Sequence, residues 1–134
     1  MINIKECCKY AEGWESVKRE IFYDLITLPN GDVMSEDDYD SKDWETLYYP
    51  LLLQSVIEGI NREHLNDDKY PSITIDSTGI RISYSSQNYY DEVIDFDDYD
   101  LIIEAKESAI NYVMEAMRWQ KGLNLKSAIN YSVK

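Results

Sequence analysis

Ser72-Ile73-Thr74-Ile75-Asp76 and Ile80-Arg81-Ile82-Ser83-Tyr84 alternate apolar and polar residues on either side of Ser77-Thr78-Gly79. Strict alternation around a turn cluster is the pattern of a β-hairpin with one buried face. A third strand over 90–96 places Tyr90, Ile94 and Phe96 on one side, so a β-meander is expected over 72–96. At Asp98 the period lengthens. Tyr99, Ile102, Ile103, Lys106, Ala109, Ile110, Val113, Ala116 and Met117 recur at helical spacing. This predicts a helix over 98–121, capped by Asp97 or Asp98 and ended by Gly122. Leu125, Ile129 and Val133 predict a further short helix at the C-terminal end.

Upstream of the meander, Leu53, Val56, Ile57, Ile60 and His64 mark the buried face of a helix over 50–65, which Leu51 and Leu52 widen. Proline inside a helix costs about 3 kcal/mol, but almost nothing at the first helical position. Pro50 therefore separates this helix from a turn or short helix at 43–48. Gly59 within it gives up about 1 kcal/mol relative to alanine, which points to a close neighbour. From Val17 to Leu28 the apolar residues fit both helix and strand. The following Asn30-Gly31 favours a two-residue hairpin turn, hence a strand at about 20–28 and a return strand at 32–34. Ile4, Cys7, Cys8 and Ala11 predict a short helix over 3–12, closed by Gly13. The expected fold is α+β in one domain, 1–134. One small antiparallel sheet (meander 72–96, extra hairpin 20–34) is packed by helices 3–12, 50–65 and 98–121.

The stock of 12 Tyr and 3 Trp, with 44% hydrophobic residues overall, suits a folded core and not a disordered acidic tail. The charge is extreme, at -13, and uneven. Residues 31–100 set Lys42, Arg62, Lys69 and Arg81 against eighteen acidic residues, a net -14. Phosphate surfaces would repel such a chain, which argues against free nucleic acid or anionic membrane as ligands and favours a basic protein. Adjacent Cys7 and Cys8, with no hydrophobic leader visible, lead us to expect a cytoplasmic protein.

Two acidic-aromatic runs concentrate the charge. The first holds Glu36, Asp37, Asp38, Tyr39, Asp40, Asp43 and Trp44; the second holds Tyr89, Tyr90, Asp91, Glu92, Asp95, Asp97, Asp98, Tyr99 and Asp100. Tyrosine and tryptophan are favoured anchors in recognition surfaces, and carboxylates make short charge-assisted bonds to Arg and Lys. These residues are the candidate partner-binding set. As a calcium loop the second run fails, since Tyr99 falls at the fifth position, Asp100 at the glycine position and Lys106 at the twelfth. His64, Cys7 and Cys8 lack zinc-ligand spacing. No phosphate-binding glycine loop or nucleophile motif occurs, so neither a cofactor nor catalysis is expected.

In size, acidity and Asp/Tyr-rich vocabulary the whole chain resembles small phage-encoded anti-defence proteins, including anti-CRISPR and DNA-mimicking anti-restriction proteins. That resemblance implies a non-enzymatic inhibitor that blocks a nucleic-acid groove of a nuclease, such as an RNA-guided complex. Alternatives are an immunity-type protein that neutralises a basic toxin nuclease, a metal-dependent enzyme built on the acidic cluster, and a small structural or regulatory oligomer.

Overall fold

A computed structural model describes residues 2–19, 23–67, 69–83 and 92–132. In chain order it contains α1 (Ile4–Cys7), β1 (Glu15–Arg19), β2 (Tyr23–Thr27), β3 (Val33–Met34), a 3-10 turn (Glu36–Asp40) and a π-helical turn (Trp44–Tyr48). Then follow α2 (Tyr49–Asn66), β4 (Ser72–Ile75), β5 (Gly79–Ser83), β6 (Glu92–Asp95), a second 3-10 turn (Phe96–Asp98) and α3 (Ile102–Ser132). The class is α+β.

The meander forms as its alternation implies, in the order β4-β5-β6, with Ile73↔Ile82 and Ile80↔Ile94 facing the core. Its first turn is closed by Asp76, whose carboxylate accepts from the Thr78 hydroxyl (2.7 Å), the Thr78 amide (2.7 Å) and the Gly79 amide (3.0 Å). These bonds, that to the Thr78 side chain foremost, hold the carboxyl below its ordinary value of 3.8. Gly79 is required by proximity, because a Cβ there would lie 2.2 Å from the Ile94 carbonyl oxygen.

The expected single sheet is in fact two antiparallel three-stranded sheets, β1-β2-β3 and β4-β5-β6. The missed strand is β1, which pairs with β2 from Glu15↔Thr27 to Arg19↔Tyr23. Two sheet edges are closed locally. The Asn61 side chain on α2 accepts from the Ile73 amide (2.7 Å) and donates to the Ile73 carbonyl (2.9 Å), occupying the outer edge of β4. At the other sheet, β3 is only two residues long, and the first 3-10 turn packs against it and β2. Edges closed in this way cannot extend by pairing. The return strand appears at Val33–Met34, paired Thr27↔Val33 and Ile26↔Met34. Its loop has three residues instead of two: Gly31 N–H donates to the Leu28 carbonyl and Leu28 N–H to the Asp32 carbonyl, with Gly31 at φ +92°.

Two helical expectations need correction, and a third is refined. The helix placed at 3–12 is one turn, Ile4–Cys7, capped by the Asn3 side chain, and the chain leaves through turns to Gly13 at φ +84°. The split at Pro50 stands, as a π-helical turn to Tyr48 followed by α2 from Tyr49, but the junction is not a break. Tyr49 keeps helical angles (φ -66°, ψ -46°), and its N–H reaches back five residues to the Trp44 carbonyl. The widened π turn relieves the clash between the proline ring and the carbonyl four residues before it, so the helical path runs on into α2. The last helix starts at Ile102 because Asp95 caps the second 3-10 turn by accepting from the Asp97 amide (3.1 Å), and Tyr99 is extended. Asp97 and Asp98 are thus spent before α3 begins. α3 then runs through Gly122 to Ser132, absorbing the expected C-terminal helix. A lone glycine without a left-handed cap costs about 1 kcal/mol and does not end a helix.

One apolar cluster unites the halves, from Ile26, Leu28 and Trp44 through Leu52, Val56 and Ile60 of α2 to Ile80, Ile82, Ile110 and Val113. α2 and α3 pack on each other and on the second sheet. Gly59 lets α2 meet the turn that follows α1, as a Cβ would sit 1.6 Å from the Tyr10 carbonyl oxygen. Nearby, Tyr49 accepts from the Ile2 amide (3.2 Å) and donates its hydroxyl to Glu107, tying the N-terminal segment, α2 and α3 together. Burial, with the Glu107 bond second, pushes the Tyr49 phenol well above its ordinary value.

Candidate binding surface

The two acidic runs rest on short helical turns of different neighbourhoods. The first packs against β2, β3 and the π turn; the second packs against β5. Asp37, Asp40, Asp43, Asp97, Asp98 and Asp100 are exposed, and among the described residues none makes a side-chain ion pair or accepts a hydrogen bond on its carboxylate. Asp38 and Asp95 are also exposed but have internal duties. Asp38 accepts from the Ser35 amide (2.9 Å), and Asp95 caps Asp97. Glu92 is half-buried. Tyr89, Tyr90 and Asp91 lie outside the described residues, and of Glu36 only the backbone position is described.

The aromatic members of the set are mostly structural. Trp44 is 1% exposed, so it is a core residue and not the surface anchor the sequence suggested. It stacks on Tyr39 (centroids 4.5 Å, 24° between planes) and meets Tyr49 at 5.6 Å. Tyr39 is half-buried in that stack. Tyr99, also half-buried, donates its hydroxyl to Ser108 Oγ (2.9 Å). The physical reason is common to all three: a ring beside carboxylates still gains more by covering apolar surface than by facing water.

The exposed apolar groups beside the two runs are aliphatic, and sequence reading missed them; elsewhere, Trp119 on α3 is 56% exposed. Leu47 (59% exposed) and Leu51 (50% exposed) stand one turn apart across the π turn and the start of α2. Leu51 therefore does not widen the buried face. Leu101 and Ile102, immediately after the second run, are equally exposed, as is Val93 within it. The signal that could have found Leu47 and Leu51 is phase, since both are out of step with Leu52, Leu53, Val56, Ile57 and Ile60. Beside the first run an open depression of about 270 Å³ is lined by Asp32, Val33, Met34, Asp38 and Tyr48. Val33 is itself half-exposed.

The soft ligands are engaged or buried. His64 Nδ1 donates to the Tyr70 carbonyl (2.6 Å). Burial pushes the Cys7 thiol up to about 12, with the Glu6 charge adding to it, and pushes Cys8 up to about 11. Such thiols are poor nucleophiles. Among the described residues no three His, Cys, Asp or Glu side chains are grouped to hold a cation, and no helix is long and apolar enough to cross a membrane. Compared with family models, curated proteins and solved structures, the chain matches none.

Proposed function

We propose that this chain is a non-enzymatic inhibitor whose acidic surface occupies the basic nucleic-acid channel of a nuclease or related host-defence effector. The observation that supports this most directly is the exposure of Asp37, Asp40, Asp43, Asp97, Asp98 and Asp100 on short turns anchored to the core. Carboxylates held on a folded frame lose less entropy on binding than those of a floppy tail. Duplex DNA presents one negative charge per roughly 1.7 Å of axis, so a surface dense in fixed carboxylates competes for the same lysines and arginines. The resemblance in size and composition to phage anti-defence proteins supplies the class of target.

The test uses the reversal Asp37→Lys, Asp40→Lys, Asp43→Lys, Asp97→Lys and Asp98→Lys, which spares the caps at Asp38 and Asp95. Immobilised wild-type chain should capture a nucleic-acid-binding protein at about 0.05 M salt, release most of it at about 0.5 M, and lose it to added duplex DNA. The reversed chain, with an unchanged circular dichroism spectrum, should capture none. Capture that survives both high salt and the reversal would defeat the proposal.

A further inference from the structure

We infer that Leu47 and Leu51 form the apolar anchor of this surface, and that their occupant is a basic amphipathic helix of the partner. The inference rests on the reading of the acidic surface as a site for a basic protein, and adds where the contact is centred and what secondary structure it receives. Three observations carry it. First, the two leucines are 59% and 50% exposed on a helical path that buries Leu52, Leu53, Val56, Ile57 and Ile60, with Leu65 at its far end exposed as well. Second, the exposed positions repeat along one side: Asp43, Leu47, Leu51, Gln54 and Glu58. Carboxylates stand at both ends of the leucine pair, and Glu58 is steadied by the Gln54 amide (3.2 Å). Third, Trp44 and Tyr49 are buried directly beneath this path, so its backbone is fixed to the core and the leucines are presented rigidly.

An exposed leucine pair at i and i+4 is a ridge, and the complementary shape is the groove between apolar side chains of a second helix. The flanking charges decide which helix. A second copy would bring the same carboxylates against these, and the chain already carries -13. Two half-exposed leucines also fall far short of the roughly 800 Å² per partner that a stable apolar interface uses. The remaining affinity must come from charge, so the occupant has lysine or arginine on both sides of its apolar stripe. This is the arrangement of an interface with an apolar centre and a polar rim.

The probes are two synthetic peptides of about eighteen residues with equal charge: a Leu/Lys amphipathic helix, and a Ser/Lys analogue without the apolar stripe. Fluorescence anisotropy at about 0.1 M NaCl gives the affinities. Wild-type chain should bind the Leu/Lys helix at least about tenfold more tightly than the analogue, a difference of about 1.4 kcal/mol. Leu47→Ser/Leu51→Ser should bind both peptides alike, at the analogue's level. Both positions are exposed, so its urea midpoint should match wild type. If that variant keeps the full preference, the anchor is elsewhere and the inference fails while the acidic-surface reading stands. If instead the five-residue charge reversal leaves both affinities unchanged, the acidic-surface reading fails and the occupant is not basic. A wild-type dimer in sedimentation that the leucine variant abolishes would assign the pair to a second copy and overturn the inference.

Discussion

Two kinds of residue change meaning once their surroundings are known. Trp44 and Tyr39 sit in an acidic run and yet stack inside, whereas Leu47 and Leu51 sit in a leucine-rich helix and yet face water. Composition could not separate these cases, because a tryptophan among aspartates has the same local sequence whether it covers core or meets a partner. The adjacent cysteines are more decisive. Cys7 is 0% and Cys8 4% exposed, and burial raises both thiols, to about 12 and about 11 from an ordinary 9.0. With the folded value above the unfolded one, each thiol's contribution to stability is complete below about pH 9. It is lost as pH rises through the folded values, because only the unfolded chain gives up its protons early. The urea midpoint should therefore fall between pH 8.5 and 10.5, by roughly a few kcal/mol of stability. Cys7→Ala/Cys8→Ala should flatten the early part of that fall, before Tyr10, raised by its own burial to about 12, begins to contribute. A double variant with the wild-type slope would show that these thiols are not the titrating groups.

At the scale of elements, the meander and the two long helices were legible because a period of two or of 3.6 writes burial directly into the chain. The number of sheets was not. It is set by long-range packing, of which the closure of β4 by Asn61, twelve residues away in sequence and without a local signature, is one part. β1 was hidden for a different reason, since the apolar residues from Val17 to Leu28 fit both periods and only the pairing of Val17 with Leu25 decides for strand. That the chain stays helical through the split at Pro50 was not legible, because a π turn is a rare remedy for a proline. Of the candidate surface, the carboxylates were legible as charge; the phase of Leu51 against Leu53, Val56, Ile57 and Ile60 was also there to be read, but Leu51 was assigned to the buried face. Asn61→Ala should strip Ile73 of two bonds at a site only 3% exposed, lowering stability by about 2–3 kcal/mol in urea titration. It should also uncover the β4 edge, so that light scattering on warming rises at lower temperature than for wild type. An unchanged midpoint together with unchanged exchange of the Ile73 amide would mean that the edge is closed by something else.

For the whole molecule, the charge sets two requirements against each other. A net -13 repels itself in the compact state, and among the described residues the acidic groups have few cations close by, Glu6 with Arg118 (2.8 Å) and Glu12 with Arg62 (3.4 Å) being the ion pairs. Salt shortens the range of that repulsion from about 30 Å at 0.01 M to about 8 Å at 0.15 M, so it should stabilise the isolated chain over this interval, by roughly 1 kcal/mol. Binding to a basic channel should respond in the opposite direction, weakening over the same interval, because the attraction is screened too. The five-residue reversal to lysine, which brings the net charge from -13 to -3, separates the two. It should raise the urea midpoint at low salt, remove most of the midpoint's salt dependence and abolish partner capture. A chain that becomes more stable yet loses its partner is one whose acidity is maintained for recognition at the expense of folding. A reversed chain that is more stable and still binds would assign the charge to solubility alone.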